Sequence, residues 1–272
     1  MGNTLSFSKV IQSAAKRAGQ LVLESANEVG SLQIEEKSKN DFVSEVDRKS
    51  EQLVRDIILQ SFPEHTILGE EFGGSLDSLS KYCWVIDPLD GTTNFIRGIP
   101  HYAVSIALLE HGRPVVACIY DPSKNECFFA EEGRGAFLND LQISCSDRDS
   151  ISGGLYATGV PFSGVLLDNL ACFNGTMTDI LQTQTSGIRR LGSAALDLAY
   201  VAAGRYDGFW EANLKIWDIA AGVLLVQEAA GAVCDLGGGA NYLSSGHILA
   251  SNWGSHKHLL QITQKNYSNW QS

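Results

Sequence analysis

Two carboxylates, a proline, a glycine and two hydroxyls follow one another in Asp87-Pro88-Leu89-Asp90-Gly91-Thr92-Thr93-Asn94-Phe95. The apolar run Tyr82-Cys83-Trp84-Val85-Ile86 comes just before them and reads as a buried strand. A strand that ends this way delivers charge to one point at the edge of a core. Crowded carboxylates favour a hard cation, and a Gly-Thr turn offers backbone N–H groups to an anion. The two needs together suggest metal-assisted chemistry on a phosphate.

Further acidic groups border apolar runs. Glu70-Glu71 follow the short strand Thr66-Ile67-Leu68-Gly69, Asp218 starts the helix Trp217-Asp218-Ile219-Ala220-Ala221-Gly222, and Asp47 lies early in another helix. Singly, each has an ordinary reading: Asp218 as an N-cap, Asp47 as a solvated helix charge, Glu70-Glu71 as surface, Asp90-Gly91 as a turn. Jointly they read differently, because each apolar run takes its charge inward. Two like charges about 4 Å apart cost on the order of 4 kcal/mol at an effective dielectric near 20. Several such pairs would rival a total stability of roughly 5–15 kcal/mol. Such carboxylates must protonate, spread apart or hold cations. All-oxygen donors, with no His or Cys beside them, point to Mg2+. Thr92 and Thr93 admit helix capping. They also admit a phosphate on the Gly91 and Thr92 N–H groups, with the Thr92 hydroxyl orienting a water. These readings are compatible.

The elements that must position these groups are legible. Phe7, Val10, Ile11, Ala14, Ala15, Ala18, Leu21 and Val22 predict an opening amphipathic helix. Val46, Leu53, Val54, Ile57, Ile58 and Phe62 predict a second, stopped by Pro63. The polar segment between them, Glu35–Asp41, has no apolar period and reads as a mobile loop. Ala103–Leu109, Val115–Tyr120 and Cys127–Ala130 predict an antiparallel meander. After about Ser150 short strand-like runs alternate with helical ones, as in a layered α/β half. The expected architecture has an α+β half over residues 1–145 and an α/β half over residues 146–272. No linker separates them, so one extended core is expected.

Composition narrows the field. A formal net charge of −11 on 272 residues argues against non-specific nucleic-acid or anionic-membrane binding. An anionic substrate would need bound cations to reverse the local field. The six cysteines form no C-x-x-C pair or zinc spacing, as expected of reduced thiols in a cytoplasmic protein. No run reaches the ~18 apolar residues of a membrane span. The first residues lack the apolar centre of a signal peptide, although Met1–Ser6 fits the short myristoylation pattern.

Asp87–Phe95 resembles the first signature of the inositol monophosphatase family, and Trp217–Gly222 resembles its second. Gly69-Glu70-Glu71 and Asp41-Phe42-Val43-Ser44-Glu45-Val46-Asp47 match in order as well, so the resemblance covers nearly the whole chain. Ser44 and Ile216 are its small departures, standing where many relatives have Thr and Pro. The resemblance implies a layered αβαβα sandwich of the sugar-phosphatase type. It implies a phosphomonoesterase acting on myo-inositol monophosphate and related small polyol or sugar phosphates, Li+-inhibited in relatives, and a homodimer. By resemblance, Glu70, Asp87, the Leu89 carbonyl, Asp90 and Asp218 bind two or three Mg2+. Asp47 hydrogen-bonds Thr92, and Thr92 with Glu70 orients the attacking water. Gly91 and Thr92 bind phosphate. Asp90, Gly192, Ser193, Ala194, Glu211 and Asp218 contact the polyol, and Lys39 helps close the site. The implied mechanism is in-line attack of a metal-activated water, with no covalent intermediate.

Three rivals stand beside this reading. In the haloacid dehalogenase signature, Asp-x-Asp-Gly-Thr, the first Asp is a nucleophile. Here two residues, Pro88 and Leu89, separate Asp87 from Asp90, which argues against it. Within the family, the substrate could instead be fructose 1,6-bisphosphate, NADP, 3′-phosphoadenosine 5′-phosphate or histidinol phosphate. The third rival keeps the fold and acts through partners. Arg189-Arg190 reads as a solvated or dimer-interface pair.

Overall fold

Ser6 opens the first helix, its hydroxyl accepting from the Lys9 N–H at 3.4 Å. The computed structural model describes residues 6–26, 34–38, 41–76, 80–161, 167–268 and 270. Helix α1 (Phe7–Ser25) buries Val10, Ile11, Ala14, Ala15, Ala18 and Val22, the stripe its sequence predicts. Helix α2 (Glu45–Ser61) lies beside it and buries Val54 and Ile58. Between them, β1 (Ile34–Ser38) and β2 (Asp41–Ser44) pair antiparallel. This corrects the expected loop over Glu35–Asp41. A two-stranded ribbon satisfies its backbone through its own ladder, so no apolar alternation has to announce it. Lys39 lies outside the described residues, as do residues 1–5 of the lipidation pattern.

Seven strands build the first sheet: β3 (Thr66–Gly69), β4 (Tyr82–Asp90), β5 (Ala103–Glu110), β6 (Arg113–Asp121), β7 (Glu126–Glu131), β8 (Gly135–Leu138) and β9 (Leu141–Ile143), in chain order across the sheet. Only β3 and β4 run parallel; the others form the predicted meander, extended by β8 and β9. Strand period two divides the residues between its faces. Trp84, Ile86, Val104 and Ile106 pack on α1 and α2. Val85, Ala103 and Ala107 face the other way.

A short helix, α3 (Thr92–Ile96), follows β4. The second sheet contains β10 (Leu155–Thr158), β11 (Gly187–Arg189), β12 (Gly208–Glu211), β13 (Ala232–Cys234) and β14 (Ile248–Ser251), ordered β11-β10-β12-β14-β13. Helix α4 (Leu170–Leu181) follows β10. Helices α5 (Ala194–Ala202) and α6 (Ile216–Glu228) are sandwiched between the sheets. Every residue of α5 is buried, which is why it is apolar nearly all round rather than striped. After the short α7 (Tyr242–Ser245), helix α8 (Trp253–Tyr267) joins α4 on the outer face of the second sheet, against Tyr156, Trp210 and Leu249. The layers run αβαβα, as the resemblance implied. Among the described residues no helix is long and apolar enough to cross a membrane. All six cysteines are free.

Candidate active site

The site grows from an irregularity at the end of β4. Asp87 pairs with Ser105 of β5 and Asp90 with Ala103, so three steps on one strand match two on the other. This is a β-bulge at Pro88-Leu89, a place where a residue without an N–H is tolerated. Its effect is one of parity. On a regular strand, residues three apart point to opposite faces. The extra residue turns Asp90 to the face that already holds Val85 and Asp87, towards α5 and α6. Leu89 packs the other way, with Val22, Val46 and Phe95. Gly91 then turns the chain at φ 92°, where a Cβ would meet the His101 carbonyl at 3.0 Å. With α3 starting at Thr92, the first N–H groups of that turn have no intrahelical acceptor.

The three aspartates are each held by a local donor. Asp87 accepts the Leu89 N–H at 3.0 Å. Asp90 accepts the Ala195 N–H at 2.8 Å and the Ser193 hydroxyl, and so caps the start of α5. Asp218 sits in the first turn of α6 and accepts the Lys215 N–H at 2.6 Å, a capping role one turn in rather than that of the N-cap residue itself. Trp217, next to it, is tied to β5 through its carbonyl, which accepts from Ser105 at 3.4 Å. Glu70 is joined to β4 by its N–H, on the Ile86 carbonyl at 3.1 Å.

These groups share one field. Burial pushes Asp87 well above the usual carboxylate range, and the charges of Glu70, Asp90 and Asp218 push it further. Burial likewise raises Asp218, with Asp90 the next contributor. Asp90 is pushed up to about 6 by burial, against its hydrogen bonds from Ser193 and the start of α5. Among the described residues no three acidic, His or Cys side chains form a ready-made ion cage. The three aspartates lean on their separate N–H donors instead. The donor set is nonetheless all oxygen and mutually repelling, with Asp87 buried and Glu70, Asp90 and Asp218 half-buried, and that composition fits a hard divalent cation.

Helix α2 supplies the other wall. Asp47, Ser50, Glu51, Val54 and Ile58 form one buried stripe. It is polar in its first turns, where it meets the end of β4, and apolar beyond. Asp47 is therefore no solvated helix charge; it is 1% exposed. The Thr92 hydroxyl lies 3.0 Å from its carboxylate and 2.9 Å from the Leu89 carbonyl. One hydroxyl proton serves only one of the two acceptors at a time. Ser50 donates to the Pro88 carbonyl at 2.9 Å and pins the bulge.

The sequence model of the inositol monophosphatase family matches residues 4–268. The chain belongs to the inositol monophosphatase family. It is 48% identical over 254 residues to a Pseudomonas aeruginosa protein named Nus factor SuhB, covering 92% of this chain and 93% of that one. The crystal structure of extragenic suppressor protein suhB from Bartonella henselae is 42% identical, with a TM-score of 0.89 over 94% of this chain and 97% of that one. An inositol monophosphatase from Anabaena superposes with a TM-score of 0.81 at 35% identity, covering 95% of each chain.

Around this family core the structure gathers Gly192, Ser193 and Ala194 at Asp90, through the Ser193 and Ala195 bonds already described. Glu211, at the end of β12, belongs to the same field. Burial pushes it up to about 7, with the Arg190 cation opposing and Asp90 adding to the shift. Arg190 is exposed, as a solvated pair would be, yet its charge reaches Glu211. Glu211 also lines a cavity with Thr158, Gly159, Phe173 and Trp270. A separate cavity of about 310 Å³, between α7 and α8, is lined by Asp235, His247 and Tyr267 and holds none of the predicted site residues.

Two buried acids escaped the sequence reading. Asp197, 1% exposed on α5, is pushed well above its usual range by burial and by Glu211 and Asp90. Among the described residues its Oδ1 has no hydrogen-bond partner. Glu51 lies on α2 behind Glu70. Both look like ordinary helix acids; for Glu51 only the stripe it shares with Val54 and Ile58 signals burial, and for Asp197 only the apolar residues on every side of α5.

Proposed function

We propose that this chain is a Mg2+-dependent phosphatase of small polyol phosphates, with myo-inositol monophosphate as the leading substrate. The observation behind this reading is the group of mutually repelling carboxylates around the end of β4, Asp87 buried and the others half-buried, beside the Thr92–Asp47 hydrogen bond. In this reading residues 1–145 bring Glu70, Asp87, the Leu89 carbonyl and Asp90 to the cation. Residues 146–272 complete the site with Asp218 and Glu211. When bound, Mg2+ supplies Lewis-acid activation and neutralises charge at the phosphate.

The chain's own groups do the rest. The Gly91 and Thr92 N–H groups receive the phosphate. Thr92, held by Asp47 at 3.0 Å, and Glu70 aim the water at phosphorus, in line with the leaving oxygen. Glu211, Ser193 and Asp90 meet the hydroxyls of the leaving alcohol. A cytoplasmic homodimer is part of the same proposal.

Phosphate release from inositol 1-phosphate, glycerol 2-phosphate, fructose 1,6-bisphosphate, NADP and 3′-phosphoadenosine 5′-phosphate tests the substrate assignment. Inositol 1-phosphate should be the best of these, with turnover abolished by chelation and inhibited by Li+. Full turnover after exhaustive chelation would sink the proposal. Asp47→Asn should lower kcat by about 100-fold while leaving Mg2+ affinity, measured by calorimetry, nearly unchanged. An equal loss of affinity would make Asp47 a ligand instead.

The name Nus factor, carried by relatives that share nearly half their residues with this chain, favours a second role beside catalysis. Introducing the wild-type chain and Asp90→Asn into such a relative lacking its own SuhB would separate the two. Rescue by both forms would make the Nus role independent of turnover, and rescue by neither would remove it.

A further inference from the structure

Glu51 is a carboxylate for which catalysis gives no direct use. Its side chain is fully enclosed, at 0% exposure, on the polar part of the α2 stripe. It accepts the Glu71 N–H at 2.7 Å and the Phe72 N–H at 3.3 Å. Arg55, one turn on, meets the same carboxylate at 3.3 Å and lies 5.9 Å from the centroid of the Phe72 ring. From the other side, Glu70 donates its N–H to Ile86, and Gly69 donates to the Gly73 carbonyl at 3.0 Å. The backbone of Glu70 is therefore gripped twice, by β4 before its side chain and by Glu51 after it.

Gly69 belongs to this grip. A Cβ there would lie 2.0 Å from the Glu51 Oε1. The backbone of Gly69 is outside the left-handed region, so space rather than torsion demands glycine. A side chain at position 69 would have to push Glu51 away.

We propose that Glu51 is a positioning residue that sets the direction of the Glu70 carboxylate and thereby tunes cation binding at that end of the cluster. This rests on the reading of Glu70 as a cation ligand. Groups that orient a ligand from behind are worth about 10- to 100-fold in metal affinity or activity.

Luminescence of Tb3+, excited through the protein's tryptophans, reads cation binding without turnover. Glu51→Ala should weaken Tb3+ binding by about 10- to 100-fold and lower kcat in step, with KM for the phosphate ester nearly unchanged. Gly69→Ala should do the same, because it displaces the carboxylate. The double variant should be no worse than Glu51→Ala alone, since the group that a methyl at position 69 would strike is gone. Glu51→Gln keeps the volume and one acceptor oxygen and should fall between. If Glu51→Ala does not fold, Gly69→Ala and Glu51→Gln give the same comparison. Wild-type Tb3+ affinity in both of these, or additive losses in the double variant, would overturn the proposal. A wild-type protein that binds no Tb3+ would instead remove the cation reading of Glu70, and this proposal with it.

Discussion

Asp90→Asn should lower kcat by about 1000-fold or more while the fold survives. The reason is local. Asn keeps an oxygen for the Ser193 hydroxyl and the Ala195 N–H, so the start of α5 stays capped. What it loses is one negative charge from a half-buried group that, in the proposed function, serves a cation. Losing a ligand forfeits several kcal/mol of charge stabilisation, and each 1.4 kcal/mol is roughly tenfold in rate. Without cation the same variant should melt higher than wild type, because Asp90 raises both Asp87 and Asp218 by repulsion. Steady-state kinetics in Mg2+ and thermal melts in chelator measure the two effects. A kcat within a few-fold of wild type would show that Asp90 is not a ligand.

The chelated protein should lose stability as pH rises from about 5 to 8, and saturating Mg2+ should reverse that slope. The sign follows from the direction of the shifts. Asp90 at about 6 and Glu211 at about 7 both sit above ordinary carboxylates, and burial also raises Asp87 and Asp218. The folded state then binds more protons than the unfolded chain across this window. Stability is full below the unfolded pKa values, near 4, and is lost as pH climbs through the folded ones. For Asp90 the loss is on the order of 3 kcal/mol, and Glu211 adds a similar amount. A divalent cation competes with those protons, so its stabilising effect grows with pH. Melting curves across the range, with chelator and with Mg2+, give the two slopes directly. Parallel slopes would contradict a cation site built on these carboxylates.

Much of this was legible because charge stood next to apolar period. The run Tyr82–Ile86 marks a buried strand, so Asp87 and Asp90 had to end inside, and the two-residue gap between them already disfavoured a nucleophilic aspartate. Gly69-Glu70 and Asp218 were readable for the same reason. Asp47 was ambiguous, since an acid in a first helical turn is usually solvated, and its partner Thr92 lies 45 residues away in sequence. Glu51 was invisible: with Arg55 four residues on, it looks like an exposed helical ion pair. Asp197 was hidden in an apolar helix whose burial on all sides depends on two sheets at once. The β1–β2 ribbon was missed because its ladder needs no apolar face. Lone residues speak through their neighbours in sequence, whereas these three features depend on neighbours in space.

The bulge at Pro88-Leu89 has a consequence for how this stretch can change over time. The residues between Asp87 and Asp90 work as a counting frame. Removing or adding a single residue there would leave every functional side chain in the sequence, yet would swing Asp90 towards α1 and α2 and away from α5. Drift in letters, such as another apolar residue at Leu89, is tolerable because that side chain packs with Val22, Val46 and Phe95 and only the backbone carbonyl of position 89 meets Thr92. Drift in length is not. Among descendants of this chain, the interval from Asp87 to Asp90 should keep its count longer than it keeps its spelling.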